Sequence, residues 1–207
     1  MFKDREEAGR RLADRLTRYA GTPAVVVALP RGGIPVGRVV ADRLGLPLDV
    51  VVVRKVGAEF NPEYAIGAVT EQGDVYWEEA ERQQADPAYL ERAVAKARTE
   101  AAERLQLFRA GRPERDWAGQ TVIVVDDGVA TGLTLMAALR AVRSFGPDRV
   151  VAAVPVGPPE TERRLSELAD EVVVLETPAF FNAVGAHYKE FPQVPDETVA
   201  SFLSQGV

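Results

Sequence analysis

The chain has 207 residues, enough for one large domain or a domain with a small appendage. Hydrophobic residues make up 46%, sufficient for a sizeable core, and the net charge of -6 argues against a chain-wide attraction to nucleic acid. The absence of cysteine excludes disulfides, thiolate metal sites and a cysteine nucleophile.

Phe2 to Tyr19 reads as an amphipathic helix, with Phe2, Ala8, Leu12, Leu16 and Tyr19 along one side. The same stretch is charged throughout and has no leader-like apolar run, and no run in the chain approaches the roughly 20 residues that span a bilayer. A cytoplasmic protein without a membrane partner is the expectation. Gly21-Thr22-Pro23 ends the helix. Valine-rich runs follow at Ala24–Leu29, Leu48–Val53, Thr121–Val125, Val150–Val154 and Val172–Leu175. Such runs suit strands buried on both faces, as in a parallel sheet. Helical patterns lie between them at Pro35–Leu44, Leu133–Phe145 and Glu160–Leu168. The alternation points to an α/β fold: an open, mostly parallel twisted sheet of about five strands flanked by helices.

Two regions break the alternation. Gly57 to Trp77, with Asn61-Pro62 and Gln72-Gly73-Asp74, reads as a long flexible loop with a hairpin, followed by a charged helix from Pro87 to Phe108. The tail from Thr177 is rich in proline, glycine and aromatics and suits a small cap over the sheet edge. The expected division is a core over residues 1–176, carrying the 57–110 insertion, and a cap over 177–207.

The strongest chemical signal is Val122-Ile123-Val124-Val125-Asp126-Asp127-Gly128-Val129-Ala130-Thr131-Gly132-Leu133-Thr134. A buried strand ends in two carboxylates, small residues turn the chain, and a helix begins. Unpaired N–H groups at a helix start converge with its dipole and make an anion pocket suited to phosphate. Gly128 and Gly132 permit close backbone approach, and Thr131 and Thr134 add hydroxyls. The carboxylates repel phosphate, so they must face something else: ribose hydroxyls, a metal ion or a developing cation. The plainer reading is a strand–turn–helix with acidic capping residues.

This segment resembles the 5-phosphoribosyl-1-pyrophosphate (PRPP) signature of type I phosphoribosyltransferases. The resemblance implies that Asp126 and Asp127 hold the ribose 2- and 3-hydroxyls, and that Gly128, Val129, Ala130, Thr131, Gly132 and Thr134 hold the 5-phosphate. It implies a pyrophosphate loop at Pro30-Arg31-Gly32-Gly33, with a cis peptide between Pro30 and Arg31; alone, those residues make an ordinary turn. Arg54-Lys55 resembles the basic pair of the adenine-type branch, against the reading of a solvated pair. The following loop, with Glu59, Glu63, Tyr64 and Glu71, would close over PRPP; Glu63 is either a catalytic acid or a surface glutamate. Hypoxanthine/guanine-type relatives carry an aspartate where this chain has Ala130, so the motif leans toward the adenine-type branch.

By the same resemblance the tail is a hood, where Phe180, Phe181, Tyr188 and Phe191 either stack on the acceptor or form the hood's own core. His187, the only histidine, is an acid or base, or a lone surface residue. The implied activity is transfer of the phosphoribosyl group from PRPP to an acceptor, typically a nucleobase, with Mg²⁺ entering on PRPP and Asp126, Asp127, Arg31 and Lys55 as catalytic groups. Relatives often pair, so a homodimer is open. The rival class is a PRPP- or nucleotide-sensing regulator without turnover. A phosphatase using Asp126 is a further rival. No Gly-x-x-x-x-Gly-Lys-Ser/Thr or strand-following Gly-x-Gly-x-x-Gly occurs, which disfavours other nucleotide-binding α/β enzymes.

Overall fold

The structure, a computed structural model, describes residues 1–113 and 115–204. Residues 205–207 of the expected cap lie outside the described residues. Five parallel strands form the main sheet: β1 (Ala24–Ala28), β2 (Leu48–Val50), β6 (Thr121–Val125), β7 (Arg149–Val156) and β8 (Glu171–Glu176), in the order β2-β1-β6-β7-β8. The valine runs are explained by what covers them. Alternate residues point to opposite faces of a strand. Val26, Ala28, Ile123, Val125, Val151 and Ala153 enter one core with α1 (Arg5–Arg15), α2 (Gly33–Leu44) and α7 (Asp196–Ser204). Val25, Val27, Val122, Val124, Val150 and Val154 enter the other with α5 (Leu133–Arg143) and α6 (Thr161–Leu165).

The run read as one strand from Leu48 to Val53 serves two sheets. Strand β2 stops at Val50, and β3 (Val53–Ala58) starts a separate antiparallel sheet with β4 (Asn61–Thr70) and β5 (Val75–Trp77). The expected hairpin is present, and the loop around it is extended into a three-stranded antiparallel sheet. Val56 and Val69 pack under α4 (Pro87–Arg109), and Gly67 lets the Trp77 ring lie on the strand, where a Cβ would come 2.6 Å from it. A short helix, α3 (Glu79–Arg82), links the two.

The outer edge of β2 is closed by arginines rather than left open to another strand. Arg112 donates to Leu48 O at 2.6 Å and Arg115 to Val50 O at 2.5 Å. The N-terminus joins the tail: Phe2 N donates to His187 O at 2.8 Å, Lys189 N to Phe2 O at 2.9 Å, and Phe2 shares a small core with Tyr188 and Val156. Among the described residues no helix is long and apolar enough to cross a membrane.

Candidate active site

Strand order places the chemistry. The order in which strands are added reverses between β1 and β6, and open α/β sheets bind ligands in the crevice beyond the strand ends at that point. The loops leaving those two strands carry Pro30-Arg31-Gly32-Gly33 and Asp126-Asp127, and the fold presses them together. A Cβ on Gly32 would fall on the Asp127 carboxylate, and one on Gly33 would lie 2.8 Å from Val125 O. Only glycine allows this approach. The Pro30–Arg31 peptide is cis, as the resemblance implied.

The turn after β6 is anchored by Val129 N, which donates to Val156 O at 2.8 Å. Gly132 has φ +84°, a conformation that side chains resist, and its carbonyl accepts from Met136 N at 2.8 Å to start α5. Among the described residues nothing accepts from the backbone N–H of Ala130, Thr131, Gly132 or Thr134. Arg164 braces the turn by donating to Thr131 O and to Glu78, each at 2.6 Å. These amides open into a cavity of about 430 Å³, shared with Asp126, with Lys55, Glu63 and Tyr64 of the small sheet, and with Asn182 and Val184 of the tail.

The adjacent acids diverge. Asp126 lines the cavity, and its Oδ1 accepts from Asp127 N at 2.8 Å. Burial, then the neighbouring Asp127 charge, pushes the Asp126 carboxyl well above the usual range. Asp127 is buried away from the cavity: Arg5 Nε donates to its Oδ2 at 2.8 Å, and the Tyr188 hydroxyl donates to its carbonyl at 2.5 Å. Burial also raises the Asp127 carboxyl, against the opposing pull of Arg5. Desolvation, followed by the Asp127 charge, raises the Tyr188 hydroxyl, which stays protonated.

Arg54 and Lys55 are separated because neighbours on a strand face opposite ways. Lys55 lines the cavity and binds Glu63 at 2.6 Å, a hydrogen bond that lowers the Glu63 carboxyl. Arg54 turns to α4 and binds Glu100 at 2.6 Å. Arg31 lies 3.8 Å from Asp196 at the start of α7. The Gly33 N–H is taken by Leu29 O at 3.0 Å.

A model of the phosphoribosyl transferase domain matches residues 2–190. The chain belongs to that family. Two Mycobacterium tuberculosis proteins, from strains CDC 1551 / Oshkosh and ATCC 25618 / H37Rv, whose names assign them provisionally to the phosphoribosyl transferases, are each 45% identical over 207 residues. The match takes in 99% of this chain and 47% of each relative, so the chain spans about half the length of the curated relatives it matches. A crystal structure of TT1426 from Thermus thermophilus is 48% identical and superposes with a TM-score of 0.80 over 98% of this chain and 97% of that one. The AQ2163 protein of Aquifex aeolicus, 15% identical, has a TM-score of 0.50 over 97% of this chain and 87% of its own, a likeness of fold alone.

In this phosphoribosyl transferase domain the tail aromatics are spread out. Tyr188 is buried between Phe2 and Phe191, with ring centroids 5.3 and 4.9 Å away. Phe181 stacks on His187 at 5.1 Å, whose buried Nε2 has no hydrogen-bond partner among the described residues, and Phe180 is exposed. A larger groove, about 590 Å³, lies by Arg109, Arg112 and Arg115, but those arginines are engaged by Asp49, Glu71 and the β2 carbonyls. The sequence reading missed Arg5, Arg164 and Asn182. Arg5 had left a signal: a cation in the first turn of a helix opposes the dipole and calls for a partner.

Proposed function

We propose that the domain binds PRPP and transfers its 5-phosphoribosyl group to a nitrogenous acceptor, most simply a nucleobase, releasing pyrophosphate. The observation that carries this is the sharing of one cavity by the free turn amides and the Asp126 carboxylate. The amides of Ala130, Thr131, Gly132 and Thr134 take the 5-phosphate, and the hydroxyls of Thr131 and Thr134 add donors. Asp126 accepts from the ribose hydroxyls. Asp127 supports it from behind, joined to Arg5 rather than to the ligand.

The bond from C1 to the pyrophosphate oxygen breaks as the acceptor nitrogen bonds to C1, and the acceptor loses a proton to solvent. Lys55, with Arg31 and the Gly32 N–H swung from the adjacent loop, stabilises the departing charge. The cavity fits Mg²⁺ carried on PRPP: its ligands would be PRPP oxygens and water, with the Asp126 carboxyl oxygens beside them. When bound, the ion would draw charge from the pyrophosphate oxygens. Ala130 lines the cavity without a carboxylate, which favours the adenine-type branch. Residues 177–204 act as the hood over the core, and Asn182, whose amide both donates and accepts, is their polar contact with the cavity.

The test is a panel of purines, pyrimidines and other amines incubated with PRPP and Mg²⁺, with pyrophosphate release followed. Turnover on one acceptor, reduced about 100-fold or more by Asp126→Asn, is the expected result. Unchanged turnover in that variant contradicts the assignment of Asp126. Tight PRPP binding with no turnover across the panel replaces the enzyme by a PRPP sensor.

A further inference from the structure

Arg5 is buried in the first turn of α1, although arginine is seldom buried without a partner and the dipole disfavours a cation there. Three contacts hold its guanidinium: Nε donates to Asp127 Oδ2 at 2.8 Å, Nη1 donates to Pro192 O at 2.8 Å, and the plane lies 3.7 Å from the centre of the Phe191 ring. Asp127 is held in turn at every polar atom group. Its carboxylate meets Arg5 above Gly32, its carbonyl accepts from Tyr188, and its N–H donates to Asp126 Oδ1. Neither Arg5 nor Asp127 lines the cavity, whereas Asp126 does.

We propose that Arg5 and Tyr188 are positioning residues that fix the Asp127 peptide, so that its N–H orients the Asp126 carboxylate toward the ligand. The role of that ligand rests on the PRPP reading above. The clamp joins four segments that the chain keeps apart: α1, the loop after β1, the turn after β6, and the tail at Tyr188, Phe191 and Pro192. It also explains why the N-terminal residues are tied to the tail, since that junction sets where Arg5 and Tyr188 meet the motif. The planar fork matters as much as the charge. A lysine ammonium cannot bond Asp127 and Pro192 in fixed directions while stacking on Phe191.

Arg5→Lys and Tyr188→Phe test this with small changes. Each should raise the KM for PRPP about three- to tenfold and lower kcat alongside it, with Arg5→Lys the larger effect. Amide hydrogen exchange without any ligand should quicken at the bonded amides within residues 126–134, those of Asp127 and Val129, in both variants and stay unchanged in the β3–β4 hairpin. In Arg5→Met/Asp127→Asn the buried charge is gone from both sides, so the thermal midpoint should exceed that of Arg5→Met while the exchange in 126–134 stays fast. Lowered midpoints with unaltered exchange and unaltered KM would overturn the proposal and leave Arg5 a fold-stabilising residue. If the native protein fails to bind PRPP, the PRPP reading falls, and the exchange of 126–134 still decides whether the clamp orders the motif.

Discussion

On the β6 side the cavity presents mainly backbone: the amides of Ala130, Thr131, Gly132 and Thr134, free among the described residues and held by Val129, Gly132 and Arg164, beside the Asp126 carboxylate. On the hairpin side it presents side chains, with Lys55 39% exposed and Glu63 87% exposed. The first wall is ordered before any ligand arrives, because its geometry is enforced by strand pairing and by a glycine in a left-handed conformation. The second is an ion pair between solvent-exposed side chains that a ligand must compete with. On the proposed function this becomes a division of labour: one wall would supply a preformed phosphate grip, and the other would adjust to the part of the ligand that leaves.

The most damaging change to the preformed wall is Gly132→Val. At φ +84° a branched side chain meets a penalty of about 1–2 kcal/mol, and relief of that strain must rotate the amides that face the cavity. PRPP affinity measured by calorimetry should fall by about 30-fold or more, with the domain still folded. Undiminished affinity would show that the turn does not grip the phosphate, and the contrast between the walls would dissolve.

A smaller effect is expected in the stability of the unliganded protein. Burial and the Asp127 charge raise the Asp126 carboxyl, so the folded state binds a proton that the unfolded chain releases. The stability this group contributes is full below the ordinary carboxylate value and is lost as pH rises through the raised native one. Asp126→Asn removes that loss. Its melting temperature should exceed the native one at pH 8 by about 2–4 °C, the shift that roughly 1 kcal/mol makes in a chain of this size, and the gap should close toward acid. A gap that widens toward acid would mean the Asp126 charge is stabilised by the fold. Asp127 shifts in the same direction, so the single substitution is needed to separate the two.

The same contrast governs what was legible in the sequence. The preformed wall announces itself, because its valines must be buried on both faces and its glycines must sit where loops touch. The Asp126–Thr134 motif was legible as a buried strand ending in acids and glycines, the Pro30–Gly33 loop only through the family resemblance, and the fold brings the two together. The chain gives no comparable mark where it changes sheets. Val50 to Val53 is uninterrupted valine, and neither glycine nor proline separates β2 from β3. The hairpin of the small sheet was legible, but its full extent was not, because the meaning of its glycines and polar residues depends on Trp77 and α4 later in the chain. Helix α7 was obscured by the prolines just before it, Pro192 and Pro195, although Val199, Phe202 and Leu203 have helical spacing and face the core. The split of Asp126 from Asp127 was out of reach, because it depends on an arginine more than a hundred residues away.

The adjustable wall gives the finest test. Lys55 and Glu63 bond at 2.6 Å, but both reach solvent, so their attraction is weak and screened by salt. If Lys55 serves the pyrophosphate, Glu63 competes with the ligand for it. Glu63→Gln should then tighten PRPP binding about two- to threefold at low ionic strength, with the gain fading as salt screens the pair. Lys55→Met should weaken binding about tenfold, the scale of one lost charge-assisted contact. Arg54→Met should change affinity little, since Arg54 is turned to Glu100 on the far face of the same strand. These three outcomes separate an electrostatic gate from a passive surface pair. Equal losses from Arg54→Met and Lys55→Met would mean that the hairpin re-registers on binding, because a strand in its present register cannot offer both side chains to one cavity.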